Sequence, residues 1–293
     1  MCDLGENELI KFTVVAFEVA EMSLPAYSCE KSKHKYTQPQ LMALICLMKR
    51  LRLDYRVFTA IIELMPKLRI IIGLKDVPHY TTLQKFFKRL GSHFLDKMLN
   101  FTVELFDIQE PWVAIDGTGH SSDQASLYYT DKIKKQHKKW RKSYTKNQIA
   151  IDTHTQAIIA QKVARGPRHD SKDAIPTIRK TKKYKPVGFS LDKAFDKEEI
   201  HRVIHEELNA TSMIPPKKRI KKGKYRLTMT TLFSKPKYHL RSLVETVISV
   251  IKRIFGDKNQ SRSNRLRNKE TKLKNECYDI YLYAKHLNIK IQI

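Results

Sequence analysis

In KYHLRSLVETVISVIKRIFG, residues 237–256, the apolar positions Leu240, Leu243, Val244, Val247, Ile251 and Ile254 recur at helical spacing. That period predicts an amphipathic helix packed on a core. The same period runs through QPQLMALICLMKRLRL and YRVFTAIIELMPKLRIII from Gln38 onward, two helices with breaks near Asp54–Tyr55 and at Pro66. A short helix fits around Leu9–Met22 in an otherwise mixed stretch. KDVPHYTTLQKFFKRLG adds another, with Thr81 or Thr82 as N-cap and Gly91 as its stop. Inside it Leu83, Phe86, Phe87 and Leu90 keep one face apolar, while Lys85, Lys88 and Arg89 face outward. FLDKMLNFTVELF reads as a linking helix. Together these segments predict an all-helical N-terminal domain over residues 1–108.

At Pro111 the pattern changes. WVAID (112–116) is a short apolar strand ending in Asp116, followed by Gly117-Thr118-Gly119. NQIAIDTHTQAIIAQKVAR reads as a hairpin with strands about 147–152 and 156–164. A helix follows from Asp170 or Ser171, and GFSLD (188–192) is a second apolar strand ending in an acid. DKEEIHRVIHEEL predicts a helix with Asp196 and Glu199 as its capping box. His201 and His205 stand four apart on it, but Arg202 occupies the position where a zinc-protease helix needs Glu, so both read as surface histidines. TSMIPP is a last short strand and PPKKRIKKGKYR a basic, Pro-broken loop. DKNQSRSNRLRNKETKLKN reads as a polar tail before a final helix around Glu276–Leu287. This order over residues 109–293 predicts an α/β domain, a mixed sheet with flanking helices that binds ligands at strand ends.

Charge narrows the partner. The 293 residues carry 56 Lys plus Arg against 30 Asp plus Glu, a net charge of +26. Such a surplus calls for a polyanion, either nucleic acid or an acidic membrane surface. No basic segment followed by an apolar signal core opens the sequence, and no apolar run approaches the roughly 18 residues of a bilayer span, so the membrane is disfavoured. Cys2, Cys29, Cys46 and Cys277 are scattered without a CxxC pair, which speaks against structural zinc and for a reduced intracellular setting. Lys85, Lys88 and Arg89 on a compact helical unit suit a helix-turn-helix entering a DNA groove, although a plain bundle with a cationic surface accounts for that segment equally well.

At about 100° per residue, Tyr238, Arg241, Glu245 and Lys252 fall within roughly 60° of one another on the predicted helix. Taken alone, that stripe is an ordinary solvated face. The strand-end Asp116 and Asp192 change the weighting. Two aspartates and a packed glutamate form the oxygen-donor set of a two-Mg²⁺ phosphoryl-transfer site, in which ions about 3.5–4 Å apart activate the attacking oxygen and stabilise the leaving one. The acid shared between ions belongs at the sheet centre, which gives Asp116 the bridging role. Each aspartate by itself fits a turn or cap better than a ligand position, and Asp170 and Asp173 read as helix-start residues.

These residues carry a resemblance. Tyr238, Arg241, Glu245 and Lys252 stand at the intervals of the YREK signature, Tyr-x2-Arg-x3-Glu-x6-Lys, of DDE transposases from prokaryotic insertion sequences. VAIDGTGHSS resembles the family's first-aspartate strand, and FSLDKAFDKEE its second-aspartate element, with Leu191 and Ala194-Phe195 departing from the usual Ala and Gly-Tyr. RGPRHDS (165–171), the Val-Glu-Thr-Val of the helix, and the YR and VPHYTTL elements between Tyr36 and Leu90 are similar as well. The resemblance implies an RNase H-like catalytic domain with Asp116, Asp192 and Glu245 as catalytic and metal-binding residues, holding two Mg²⁺ ions or alternatively Mn²⁺. It implies metal-dependent cleavage at transposon ends, transfer of the 3′-OH into target DNA, and Tyr238, Arg241 and Lys252 holding phosphates. A homodimer in the synaptic complex and a cytoplasmic, nucleoid-associated setting follow from the same likeness. A nuclease that cuts without joining, and a silent transposase-derived DNA-binding protein, are the competing readings.

Overall fold

The computed structural model describes residues 7–122, 132, 144–217 and 221–287; Lys218, Arg219 and Ile220 of the predicted basic loop lie outside the described residues. Two compact units emerge. The first gathers Met1–Phe106 with Ile254–Gly256 and Leu273–Ile293; the second holds Asp107–Arg253 and Asp257–Lys272.

In the first unit, α1 (Glu8–Ser23) starts at Asn7, whose Oδ1 accepts from the Leu9 and Ile10 N–H groups at 2.9 and 3.3 Å. It extends one residue beyond the predicted Leu9–Met22 at each end, and it buries Phe12, Val15, Ala16, Val19 and Ala20. α2 (Gln38–Arg50) opens on a capping box between Thr37 and Gln40 and buries every residue from Leu41 to Lys49. A helix covered on all sides forms the centre of its unit. α3 (Tyr55–Glu63) is capped by Asp54, and α4 (Pro66–Ile71) starts at Pro66, as a fixed φ without an N–H to satisfy allows. α5 (Tyr80–Arg89) begins earlier than the threonines suggest. Its cap is His79, because Thr81 Oγ1 lies 2.8 Å from the His79 ring and the Thr81 N–H points there too. Leu90 ends α5, while Gly91 precedes α6 (Ser92–Glu104).

The second unit is built on one mixed sheet of order β3-β2-β1-β4-β5, with β6 pairing β1. β1 (Trp112–Ser122) runs antiparallel to β2 (Thr145–Asp152) and parallel to β4 (Gly188–Leu191); β3 (Ile158–Arg165) continues antiparallel and β5 (Thr211–Met213) parallel. β1 is thus longer than the apolar run WVAID, since pairing with β2 continues through Gly117–His120. Val113, Ile115, Ile149, Ile151, Phe189 and Leu191 are fully buried, as in a strand layer covered on both faces. This mixed sheet with flanking helices, joined to a helical N-terminal region, is the RNase H-like architecture that the resemblance implies.

Side-chain alternation decides which helix covers which face. Gly117 pairs with Gln148, and α7 (Asp170–Lys180) packs on that face, where Thr177 Oγ1 donates to Gln148 Oε1 (3.1 Å). Trp112, Ala114 and Asp116 point the other way. On that face the Trp112 indole N–H donates to Ser190 Oγ (2.8 Å), and Ser190 donates in turn to the Lys237 carbonyl (2.7 Å). The relay docks α10 (Lys235–His239) onto the sheet, with α11 (Ser242–Phe255) following.

Four further sequence readings are corrected. The segment 237–256 is not one helix: α10 and α11 are separated at Leu240–Arg241, where Arg241, Leu243 and Val244 donate three residues back rather than four. Asp196 caps nothing. α8 (Glu198–Arg202), which continues as a π turn over Val203–Glu207, starts after Lys197 without a side-chain cap, and Asp196 turns inward to Arg226 of α9 (Lys224–Leu232). His201 is not on the surface but fully buried against Ser212 (2.7 Å), with the half-buried His205 at 3.0 Å from the same hydroxyl. The polar tail is largely helix: α12 spans Asn264–His286 and buries Lys269, Glu270, Lys274, Asn275, Glu276 and Asp279. Partnering explains this, for Glu270 accepts from the Gln260 and Ser261 N–H groups (3.1 and 2.9 Å) and Lys274 donates to the Gly256 carbonyl (2.9 Å).

Candidate active site

The last parallel rung between β1 and β4 pairs Ile115 with Leu191. One step further along each strand stand Asp116 and Asp192, and Asp192 keeps extended backbone (φ −70°, ψ 159°). Neighbouring strands are about 4.8 Å apart, so Asp116, midway along β1 where its pairing with β4 stops, and Asp192, just past the end of β4, stand side by side on one face. Over that face, the turn between α10 and α11 carries Arg241. Its guanidinium lies 3.6 Å from Asp116 Oδ2 and 2.8 Å from Glu245 Oε1, a turn further along.

The electrostatics agree with this grouping. Burial pushes the Asp116 carboxyl above its ordinary range; Glu245 and Asp170 push the same way, against the Gly117 N–H (2.7 Å) and Arg241. For Arg241, burial works against the charge, but Glu245, Tyr238, Asp116 and Asp192 together hold the guanidinium pKa above its usual value. One cation is therefore paired with two carboxylates, Asp116 and Glu245, with Asp192 and Tyr238 adding to the field that favours its charge. The Tyr238 ring centroid lies 6.0 Å from the Arg241 carbon. Lys252, seven residues beyond Glu245 and so roughly 10 Å along the helix, makes none of these contacts; the ion pairs of Asp116 and Glu245 among the described residues are with Arg241. Lys85, Lys88 and Arg89 are exposed on α5 in the first unit.

Asp170, read from sequence only as a helix start, approaches the site from the opposite face. It pairs with the buried Lys146, whose ammonium also donates to the Arg168 carbonyl (2.7 Å). The approach depends on Gly117, where a Cβ would collide with Asp170 Oδ1. A glycine inside a strand marks close approach of another group, and that signal stood in the Gly117-Thr118-Gly119 run. Asp170, Lys146 and Arg168 help to line a cleft of about 350 Å³ beside the glycines.

Carboxylate oxygens are the donor type that a hard divalent cation takes. Among the described residues, no three Asp, Glu, His or Cys side chains stand close enough to hold an ion as they lie. Arg241 supplies the counter-charge instead, and a metal would take over that duty only if the guanidinium turned away.

The mixed sheet and its helices place the second unit in the RNase H-like class. The model of the transposase DDE domain family matches residues 108–275, and the chain belongs to that family. No curated protein matches the sequence. Transposase DDE domains act on DNA and use divalent metal ions, which accounts for the high positive charge. No helix among the described residues is long and apolar enough to cross a membrane.

Proposed function

We propose that this protein cleaves DNA at the ends of an insertion sequence and transfers the freed 3′-OH into target DNA, with Asp116, Asp192 and Glu245 as its catalytic acids. The observation that carries this reading is the meeting of Asp116, Glu245 and Arg241 beside the end of β4, where Asp192 stands. The three acids hold divalent ions, taken as two Mg²⁺ with Mn²⁺ as a substitute. When bound, such ions activate water or a 3′-hydroxyl and stabilise the leaving oxygen.

The chain's own groups position the substrate. Arg241 grips a phosphate beside the scissile bond, since a guanidinium offers two parallel donors where an ammonium offers a point charge. Tyr238 donates its phenol to the same stretch of backbone, and Lys252 takes a phosphate further along α11. As Arg241 moves to the phosphate, Asp116 and Glu245 are freed for ligation. Backbone geometry keeps Asp116 central: β1 is paired on both sides, by β2 and by β4, which fixes its Cα more firmly than an edge strand could. Lys85, Lys88 and Arg89 of the helical unit add affinity for DNA outside the reacting site.

The test uses the full chain and DNA carrying the sequences that flank its gene. Cleavage and joining of a pre-cut end are assayed with and without Mg²⁺. Asp192→Asn is expected to lose cleavage, by about 10³-fold or more if a ligand to the reacting ions is removed, while binding to the same DNA persists. Undiminished cleavage by that variant removes Asp192 from the site. Cleavage without joining leaves a nuclease.

A further inference from the structure

We propose that a half-open cleft in the helical unit, between the Pro25–Tyr36 segment and α5, holds the phosphate backbone of one strand of duplex DNA. The inference deepens the reading of this unit as DNA-binding and rests on it. The cleft encloses about 1000 Å³. Lys31, Lys33 and Lys35 stand on one wall and Lys85 and Arg89 on the other, and no carboxylate of the described residues lines it. Lys35 is held by Asp76 at 3.1 Å. Lys31, Lys33, Lys85 and Arg89 are exposed. Cations facing one another across a gap repel, so the arrangement favours an anion threaded between them.

The two walls also argue against α5 entering a DNA groove by itself. A helix with its side chains is about 10–12 Å across, and the major groove is about 12 Å wide, so a helix fills it alone. The Pro25–Tyr36 segment, facing the same Lys85 and Arg89, has no room there. A single sugar–phosphate strand is thinner and meets donors on both sides. The segment is also held in place before any ligand arrives. The Gln38 N–H donates to the Ala26 carbonyl (2.8 Å), the Gln38 side chain donates to the Pro25 carbonyl (3.1 Å), and Tyr27 stacks on His34 at 4.1 Å and 8°. A wall fixed in advance loses little entropy on binding.

The experiment measures binding of the full chain to a fluorescent mixed-sequence duplex of about 30 base pairs, in EDTA and over a salt series. Each neutralised phosphate adds about 0.9 to the slope of log K against log salt. The Lys31→Ala/Lys33→Ala pair is expected to flatten the slope by about 1.8, Lys85→Ala/Arg89→Ala by a similar amount, and all four together by about twice that. The four side chains are exposed, so an unchanged melting temperature shows that each variant folds. If the loop pair leaves slope and affinity unaltered while the α5 pair weakens both, the cleft proposal is overturned and α5 binds unaided. If neither pair matters, the reading of the helical unit as DNA-binding fails, and the cleft falls with it.

Discussion

Asp196 offers the sharpest test of how the second strand-end acid is held. It lies four residues beyond Asp192, joined to it by one tight turn in which the Phe195 N–H donates to the Asp192 carbonyl (2.9 Å) and the Asp196 N–H to Lys193 (3.2 Å). Its carboxylate, 1% exposed, takes two bonds from Arg226 (2.7 and 3.0 Å) and one from the Lys217 N–H (2.8 Å), with the His201 ring at 3.5 Å. Burial alone would raise its pKa; the Arg226 and Lys217 bonds overcome that and hold it below the usual carboxylate range. Removing one partner of a buried ion pair costs about 3–5 kcal/mol. The Arg226 side chain is 22% exposed and can partly rehydrate, so Asp196→Ala should cost about 2–4 kcal/mol. Asp196→Asn, which keeps the volume and one acceptor but loses the charge, should cost about half as much.

Urea unfolding reads this as a lower midpoint at unchanged slope. The pH dependence then tests the cause. Asp196 has a depressed folded pKa, so its contribution is complete above the unfolded value of about 3.9 and is lost as pH falls through the folded one. His201 is held neutral, chiefly by burial and against the pull of Asp196. Its lowered folded pKa makes stability fall as pH drops below about 6.5, and the fall runs on to lower pH once Asp196 is gone. The gap between wild type and Asp196→Ala should therefore widen only as pH falls through the folded pKa of His201, below about 6.5, and close near or below pH 4. Because a displacement of about 1 Å can cost on the order of 100-fold in rate, cleavage should also fall where the variant is still folded. A variant within about 0.5 kcal/mol of wild type near neutral pH would show that the turn after Asp192 is held by something else.

Two further perturbations probe the ground around Asp116. Gly117→Ala should destabilise by about 1–3 kcal/mol in thermal melts, since its Cβ drives Asp170 off the buried Lys146; an equal penalty in an Asp170→Ala background would refute the steric cause. Asp116→Asn should raise the melting temperature of the metal-free protein near neutral pH, because a raised folded pKa means stability is lost as pH climbs through it and the amide cannot ionise. Divalent-ion binding by the wild type should release protons and weaken as pH falls, measured by calorimetry; a pH-independent affinity would mean that Asp116 is not a ligand.

What the sequence disclosed and what it hid have a common physical basis. A strand buried on both faces must be an unbroken apolar run, so WVAID and GFSLD stand out, and an acid ending such a run is conspicuous. Helix α2 shows for the same reason, and α3 by the helical period of an apolar face that buries Phe58 and Ile62. Hydropathy fails where burial depends on partners rather than on side-chain type. The polar stretch of α12 is buried because Glu270 finds two backbone N–H groups and Lys274 a carbonyl. Asp196 obeys the local rule for a cap, yet a bidentate arginine 30 residues away competes for it and wins. No periodicity encodes such a choice. Asp170 was hidden for a third reason: its distance from Asp116 is set by a missing side chain, that of Gly117.

The interruption between α10 and α11 bears on what the Tyr-x2-Arg-x3-Glu spacing specifies. On one continuous helix the spacing would merely align three side chains on a face. Here Ser190 anchors the Lys237 carbonyl to the sheet, and Arg241 sits in a turn of three-residue hydrogen bonds. The interval from Tyr238 to Arg241 therefore measures the path from an anchored helix end to a corner. The interval from Arg241 to Glu245 measures one turn of the next helix, short enough for the 2.8 Å ion pair. A corner lets the guanidinium lean toward Asp116 while Glu245 stays 53% exposed. In the proposed reaction that geometry has a use: a cation seated among acids can leave them for a phosphate without any helix having to move. A residue added between Tyr238 and Arg241 would lengthen the path to that corner and displace the guanidinium, and it should abolish the Arg241–Asp116 contact even where both helices persist.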